Sequence, residues 1–415
     1  MTTSVVIVCH QPGDWLARCL ASVLDQADEV LVVDNGSIDG VASQAASKLG
    51  ARSIRSAVNR GFAGGMNLGL SGVSGDVIAL LNDDAVAGAN WIETSRAALE
   101  SAADVAAVVP KLLLAHPYAE IGFDDPPYYA DGDPRPLGRC LHSITADGRD
   151  RLTGAVGPGL HAVETGRTEP TRWRWTSGSE PVYVPLSDGV SADVRCNGEP
   201  VEVRAVVDLV NNAGSYLSAE GFGGDYGYET PDRGAFDEAR DCFAASGAAM
   251  VTTADMLHRV GPFAGSFFAY YEDTDWSWRA QLGGFRIRYE PGAVVRHLRG
   301  ATTGGAANPR VQFFAARNRL LTLARNAPLP VFTTQLRAAR RNPCWSPIRR
   351  SIVKRVPQGL AQRRRLARAW RRSPDDVWAQ WAGMGERWPT SGGPIEAATA
   401  LSGDTPAPPA QRDGR

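Results

Sequence analysis

Hydrophobic and polar positions alternate in blocks along the first hundred or so residues. SVVIVC (4 to 9), EVLVVD (29 to 34), ARSIRSA (51 to 57), DVIALLN (76 to 82) and DVAAVVP (104 to 110) read as short strands. Several are continuous apolar runs, which need both faces covered, as inside a parallel sheet. Between them, Trp15, Leu16, Cys19, Leu20, Val23 and Leu24 fall on one helical stripe. The β-α alternation predicts an α/β fold, a doubly wound and mostly parallel sheet flanked by helices. Ligands of such sheets gather beyond the carboxyl ends of the strands. The residues leaving those ends are His10 and Gln11, then Asp34, Asn35, Gly36 and Ser37, then Asn82, Asp83 and Asp84. Each set is also ordinary turn chemistry, but three sets at one sheet edge mark a candidate site.

The pattern then changes. Residues 134 to 207 are rich in Gly, Pro, Thr and Arg with short alternating runs such as EPVYVPL, which predicts a β-rich insertion to which no chemistry is assigned. A strand and a helix from about Thr253 to Val260 follow, then a loop entering a helix in FFAYYEDTDWSWRAQLGG, then two short strands in FRIRYEPGAVVRH ending at His297. Helical, basic sequence comes next. The chain is thereby divided into 1–133, 134–207, 208–330, 331–385 and a last segment, 386–415, whose composition reads as disordered.

Composition adds less than its distribution does. A chain of 415 residues with 43% hydrophobic and 21% charged residues has room for two or three folded units, and a net charge of -1 favours no partner. From Pro291 to Pro374, however, there are nineteen Lys plus Arg and no Asp or Glu. Such a block calls for an anionic neighbour. The six cysteines are scattered without CxxC or metal spacing, as expected of reduced thiols in a cytoplasm. The start of the chain lacks the pattern of a signal peptide, and no run of eighteen apolar residues predicts a membrane span.

Three stretches carry chemistry. LLNDDA (80 to 85) sets two aspartates at the mouth of a buried strand, where a hard divalent cation bound by oxygen would satisfy them, although a surface turn is the simpler alternative. NRGFAGGMNLGL (59 to 70) opens a helix with Gly61, Gly64 and Gly65, letting backbone amides approach a phosphate or ribose. Its spacing is not GxGxxG, which argues against a nicotinamide enzyme. YYEDTDWSWR (270 to 279) crowds Glu272, Asp273 and Asp275 among aromatic rings. Crowded, desolvated carboxylates have raised pKa values and make a general base, while the same residues also suit a helix start.

In this order, VVIVCHQP, VVDNGSIDG, NRGFAGGMNLGL, LLNDDA, FAASGAAMV, the 267–297 stretch and ARNRLL resemble the family 2 glycosyltransferases, closest to their rhamnosyltransferase and galactofuranosyltransferase-like branch. The resemblance implies a GT-A fold, with 1–133 as the nucleotide-sugar-binding half and 208–330 as the acceptor-binding and catalytic half. It also implies Mg2+ or Mn2+, a UDP or dTDP sugar donor, and inversion of the anomeric centre. By position, Asp273 resembles the general base, with Glu272 and Asp275 beside it. Asp84 would be the chief metal ligand, completed by His297, with Asp83 near the sugar. His10, Asp34, Asn59, Gly61 and Asn67 would contact the donor. Asn82 is an amide where close relatives carry an acid.

Since many relatives act on lipid-linked acceptors, the expected partner is a glycan or polyprenyl-linked hydroxyl, with the Arg-rich segment on an anionic inner leaflet. That segment has too few aromatics to favour nucleic acid. A non-catalytic nucleotide-sugar-binding or scaffold protein on the same fold is the alternative.

Overall fold

The computed structural model describes residues 1–165, 171–187, 192–298, 308–341 and 345–384. The segment read as disordered, 386–415, lies outside them. At the centre is a ten-stranded sheet. In it β1 (Thr3–Cys9), β2 (Glu29–Asn35), β3 (Arg52–Ser56) and β4 (Val77–Asn82) run parallel, with β1 between β2 and β4. Pleating sorts the side chains into two layers. Val5, Ile7 and Cys9 join Leu16, Leu20 and Trp91 on one side, and Val6 joins Met66, Trp276 and Ala280 on the other. Both faces are covered, so the runs have little place for polar residues. β3 closes the sheet edge, and of its residues only Ser56 is buried.

Beyond β4 the sheet is mixed rather than mostly parallel. After β5 (Ala85–Ala87) and β6 (Val105–Leu114), the strand Ala249–Thr253 lies antiparallel between β4 and β6. The short strands Val210–Asn212 and Arg240–Cys242 are antiparallel to their neighbours too. An apolar run reports that a strand is covered on both faces but carries no sign of its direction, so this reversal was not legible. The two short strands expected in FRIRYEPGAVVRH are one, Arg286–His297, whose register with β6 slips between Glu290 and Val294. Pro291, which has no N–H to donate, and Gly292 sit at the slip. Past it, the strand delivers His297 opposite Ala85, at the tip of β4.

Between Tyr118 and Val207, short strands make three small sheets around a separate core that includes Ile121, Leu141, Ile144, Val184 and Val194. The basic segment is no appendage. The helix Pro309–Asn326 packs on the helix Glu272–Leu282, and Leu323, Phe332, Val377 and Trp381 share a core with Trp278 and Leu282. Among the described residues, no helix is long and apolar enough to cross a membrane.

Candidate active site

β2 ends in Asp34 and Asn35, whose side chains tie loops together. Asp34 is fully buried, and its oxygens accept from the Ser37 amide at 2.8 Å and the Ser43 hydroxyl at 3.0 Å. Burial pushes its carboxyl up, but the Ser37 and Ser43 donors outweigh it and hold the pKa below the usual range. Asn35 joins the next loop: Nδ2 donates to the Gly61 carbonyl at 3.0 Å, and Oδ1 accepts from the Arg60 amide at 2.9 Å. His10 Nδ1 lies 3.1 Å from the Asn35 carbonyl, and Asn59 Oδ1 accepts from the Gly61 amide at 2.8 Å. Gly61 has a φ of 70°, and a Cβ there would meet the Phe268 carbonyl oxygen at 2.3 Å. Only glycine meets both demands. Further along its helix, Asn67 clamps Phe263, donating to its carbonyl at 2.9 Å and accepting from its amide at 3.0 Å.

β4 ends at Asn82, and the chain turns through Asp83 and Asp84 into β5. Asp84 Oδ1 is 3.2 Å from His297 Nε2, and His297 Nδ1 is 2.9 Å from Asn211 Oδ1. Asn82 Nδ2 is 3.3 Å from the same Nε2. The tautomer that donates Nδ1–H to the Asn211 oxygen would leave an Nε2 lone pair beside a carboxylate oxygen, two ligand atoms for one cation. Ligands at about 2.1 to 2.3 Å in neighbouring positions around one ion are roughly 3 Å apart, so the pair fits a divalent ion. Among the described residues no three His, Cys, Asp or Glu side chains gather for a metal. The remaining positions would be taken by water and an anionic ligand, as is usual for Mg2+. Asp83 stands apart: burial and the neighbouring Asp84 charge push its carboxyl up to about 6, against the opposing Cys9 hydrogen bond.

The dipeptide 247–248 joins this tip to Asp273. The Asn82 amide donates to the Ala248 carbonyl at 2.9 Å, and the Gly247 amide donates to Asp273 Oδ2 at 2.8 Å. Asp273 Oδ1 accepts from the Thr274 amide at 2.6 Å and its hydroxyl at 3.2 Å. The side chain is half-buried, and burial raises its pKa despite these donors. Ahead of it the backbone is strained: Phe268, Tyr270 and Tyr271 have φ values of 71°, 71° and 70°. L-residues in that region cost of order 1–3 kcal/mol each and persist only where the surroundings over-determine them. Here Asn318 does so, its Nδ2 donating to the carbonyls of Phe267, Ala269 and Tyr270 at 3.0, 2.8 and 2.8 Å.

Asp275, two residues past Asp273, faces elsewhere. It is fully buried, accepting from Arg325 Nε at 2.6 Å, Asn326 Nδ2 at 2.8 Å and Arg279 Nε at 3.0 Å. Burial opposes its charge, but Arg325 and Arg279 prevail and its pKa is lowered. An acceptor sugar has no access to it, so its part is to pin the helix Glu272–Leu282 to the helix Pro309–Asn326. Glu272 is also buried, and its Oε2 has no hydrogen-bond partner. Burial, then the Asp273 charge, pushes its pKa well up. Trp276 belongs to the core, its Nε1 donating to the Gly261 carbonyl at 3.1 Å.

The structure thus brings Asp84, His297, Asp83 and Asp273 to one end of the sheet, with His10, Asn59 and Gly61 on the adjoining loop. Asp34, Asn67 and Asp275 are engaged with protein groups. Asn211, Asn318 and Arg325 were not singled out from sequence. ARNRLL contained the signal for Asn318, but the arginines around it read as surface charge.

Residues 4–112 match the family model described as glycosyl transferase family 2, and the α/β sheet has the GT-A architecture. GalNAc-T7, solved with UDP, GalNAc and Mn2+, is similar at 12% identity over 78% of this chain and 48% of that one, with a TM-score of 0.47. The mannosyltransferase PcManGT of Pyrobaculum calidifontis, solved with GDP-Man and Mn2+, is 13% identical over 91% and 79% of the two chains, with a TM-score of 0.40. A TPR repeat-containing protein of Synechococcus elongatus is 33% identical over 81 residues, 20% of either chain. The chain therefore spans a fifth of that curated relative and about half of GalNAc-T7.

Proposed function

We propose that the protein is an inverting, metal-dependent glycosyltransferase. It would move a rhamnose-like or galactofuranose-like sugar from a UDP or dTDP donor to a hydroxyl of a glycan or polyprenyl-linked acceptor in cell-envelope synthesis. The reading rests above all on the dipeptide 247–248, which ties the half-buried Asp273 to the strand tip holding Asp84 and His297. Asp84 and His297 would hold Mg2+ or Mn2+, which supplies positive charge where negative charge develops on the leaving diphosphate. Asp273 takes the proton of the acceptor hydroxyl. The hydroxyl oxygen bonds to the anomeric carbon from the face opposite the donor, and the bond from that carbon to the diphosphate breaks. Gly247 and Thr274 fix the carboxylate for that transfer, and burial keeps it a better base than a solvated aspartate.

Thermal shift across UDP and dTDP sugars with and without Mn2+ tests the reading, read together with nucleoside diphosphate release. A donor at about a hundred times its Kd stabilises by about 2.7 kcal/mol. Stabilisation that needs Mn2+, followed by diphosphate release, is expected. Binding without release favours the non-catalytic alternative, and no binding removes both.

The acceptor would be met at the cytoplasmic face of a membrane. Along the helix Trp345–Leu366, Arg349, Arg350, Lys354, Arg364 and Arg365 are exposed, while Ile348 and Ile352 face the core. Basic side chains near an anionic leaflet contribute about 1 kcal/mol each. Reversing these five charges should abolish flotation with phosphatidylserine vesicles; unchanged flotation would remove the idea.

A further inference from the structure

The stretch ARNRLL entered through a resemblance alone, with no role for its Asn318. In the structure Asn318 is fully buried on the helix Pro309–Asn326. Its Oδ1 accepts from Arg317 Nε at 2.8 Å, and the two protons of Nδ2 serve the carbonyls of Phe267, Ala269 and Tyr270. Both protons thus go to one short segment. That segment runs directly into the helix that carries Asp273.

The segment takes an unusual path. Phe268, with φ 71° and ψ -65°, centres a γ-turn closed by the Ala269 amide on the Phe267 carbonyl at 2.9 Å. This is the rare and strained form of that turn. Tyr270 and Tyr271 follow with φ values of 71° and 70°, and the Tyr271 carbonyl accepts from the Asp275 amide at 2.8 Å to begin the helix. The route from 268 to 271 therefore sets how the chain enters the first turn, where Asp273 stands beside Gly247. A relaxed turn would be enough to start a helix. Strain of this kind persists only where neighbours over-determine it, and it gathers at sites whose geometry matters. The anchors of Asp275 hold the body of the helix, whereas Asn318 acts on the backbone that leads into it. Arg317 Nη2 also reaches the Phe267 carbonyl at 2.6 Å, so truncating Asn318 frees chiefly the end of the segment nearer Asp273.

We infer that Asn318 is a positioning residue for Asp273: by holding the carbonyls of Phe267, Ala269 and Tyr270 it fixes the strained lead-in that aims the carboxylate at the acceptor hydroxyl. This rests on the glycosyltransferase reading, in which Asp273 is the base. Asn318 acts through the backbone and leaves proton transfer to Asp273.

Asn318→Ala in the full chain tests it by two readouts. Nucleoside diphosphate release from the donor chosen by thermal shift should lose about 10²-fold in kcat, with the donor KM and the Mn2+-dependent thermal shift unchanged. Native-state amide exchange should quicken at Gly247, whose amide is closed by Asp273 Oδ2, and stay as in wild type along the strand Ala249–Thr253. Asn318→Ser, which keeps one hydroxyl donor, should fall between the two, and it carries both readouts should the alanine variant fail to fold. A wild-type kcat, or wild-type exchange at Gly247, overturns the inference. Exchange quickened equally at Gly247 and along the strand also overturns it, because that is general loss of stability. So does a raised donor KM with kcat kept, which would place the effect on the donor loop. Absence of release in wild type with every donor speaks against the glycosyltransferase reading instead, and exchange at Gly247 still decides whether Asn318 holds the Asp273 carboxylate in place.

Discussion

At the tip of β4, Asp84 and His297 come from distant parts of the chain and meet, with Asp84 Oδ1 3.2 Å from His297 Nε2. The acids of YYEDTDWSWR are close in sequence and end in three different places. Asp273 is half-buried beside Gly247, Glu272 is buried with its Oε2 unpaired, and Asp275 is enclosed by Arg279, Arg325 and Asn326. The contrast is one of geometry. Paired strands bring side chains from distant parts of the chain to one end of a sheet, as β5 does with Arg286–His297, whereas successive residues in a helix's first turn point about 100° apart. Density of acids along a helix start therefore says little about their sharing a task.

Substitutions that keep shape and remove charge break the comparison most sharply. Asp273→Asn should lower transfer by about 10² to 10⁴-fold, with donor binding and melting temperature unchanged, as read by diphosphate release and thermal shift. Asp275→Asn should do the reverse. It leaves Arg325 and Arg279 buried without their carboxylate, which costs about 3–5 kcal/mol of stability, measured by denaturant unfolding. If Asp275→Asn is as stable as wild type while turnover collapses, the division of labour within the helix is wrong.

The strand-tip cluster is sharpened by the residue that faces His297 Nδ1. Asn211→Ala removes the oxygen 2.9 Å from His297 Nδ1. Loss of such an outer partner typically weakens metal affinity about 10 to 100-fold. Isothermal titration with Mn2+ should show that loss, with the melting temperature of the metal-free protein little changed. Unaltered Mn2+ affinity would mean that His297 is not a ligand.

How far these assignments were legible differs along the chain. β1, β2 and β4 were readable because both faces of each strand are covered, so the hydrophobic run is the strand. The insertion of Ala249–Thr253 between β4 and β6 was not, because pairing across 140 or so residues leaves no local trace in sequence. Asp84 and His297 entered as a pair through a family resemblance, since nothing in their spacing says that a slip at Pro291 and Gly292 delivers the histidine to Ala85. The basic block holds two kinds of arginine that composition does not separate. An arginine that binds a lipid and one that fills a buried carbonyl cage have the same composition. Arg317, Arg319 and Arg325 are buried on the helix Pro309–Asn326, whereas Arg349 and Arg350 are exposed.

The smallest expected effect is a displacement along the pH axis, and it separates the two acids of the helix without any mutation. As the proposed base, Asp273 would work only when ionised, and burial raises its pKa, so turnover should fall on the acid side at a pH above that of a solvated aspartate, about 3.9. Asp275 has its pKa lowered by its arginines. A depressed native pKa contributes stability that is present above the unfolded value and is lost as pH falls through the native one. Glu272 has the opposite sign: with its native pKa raised, its contribution is full below the unfolded value and fades as pH rises through the native one. Acidification should therefore extinguish activity while both buried acids still favour the fold, leaving an interval in which the protein is native by near-UV dichroism and inactive. The kcat/KM profile and unfolding curves at the same pH values check this. Activity and native structure vanishing together would mean that Asp273 is not the group whose ionisation limits turnover.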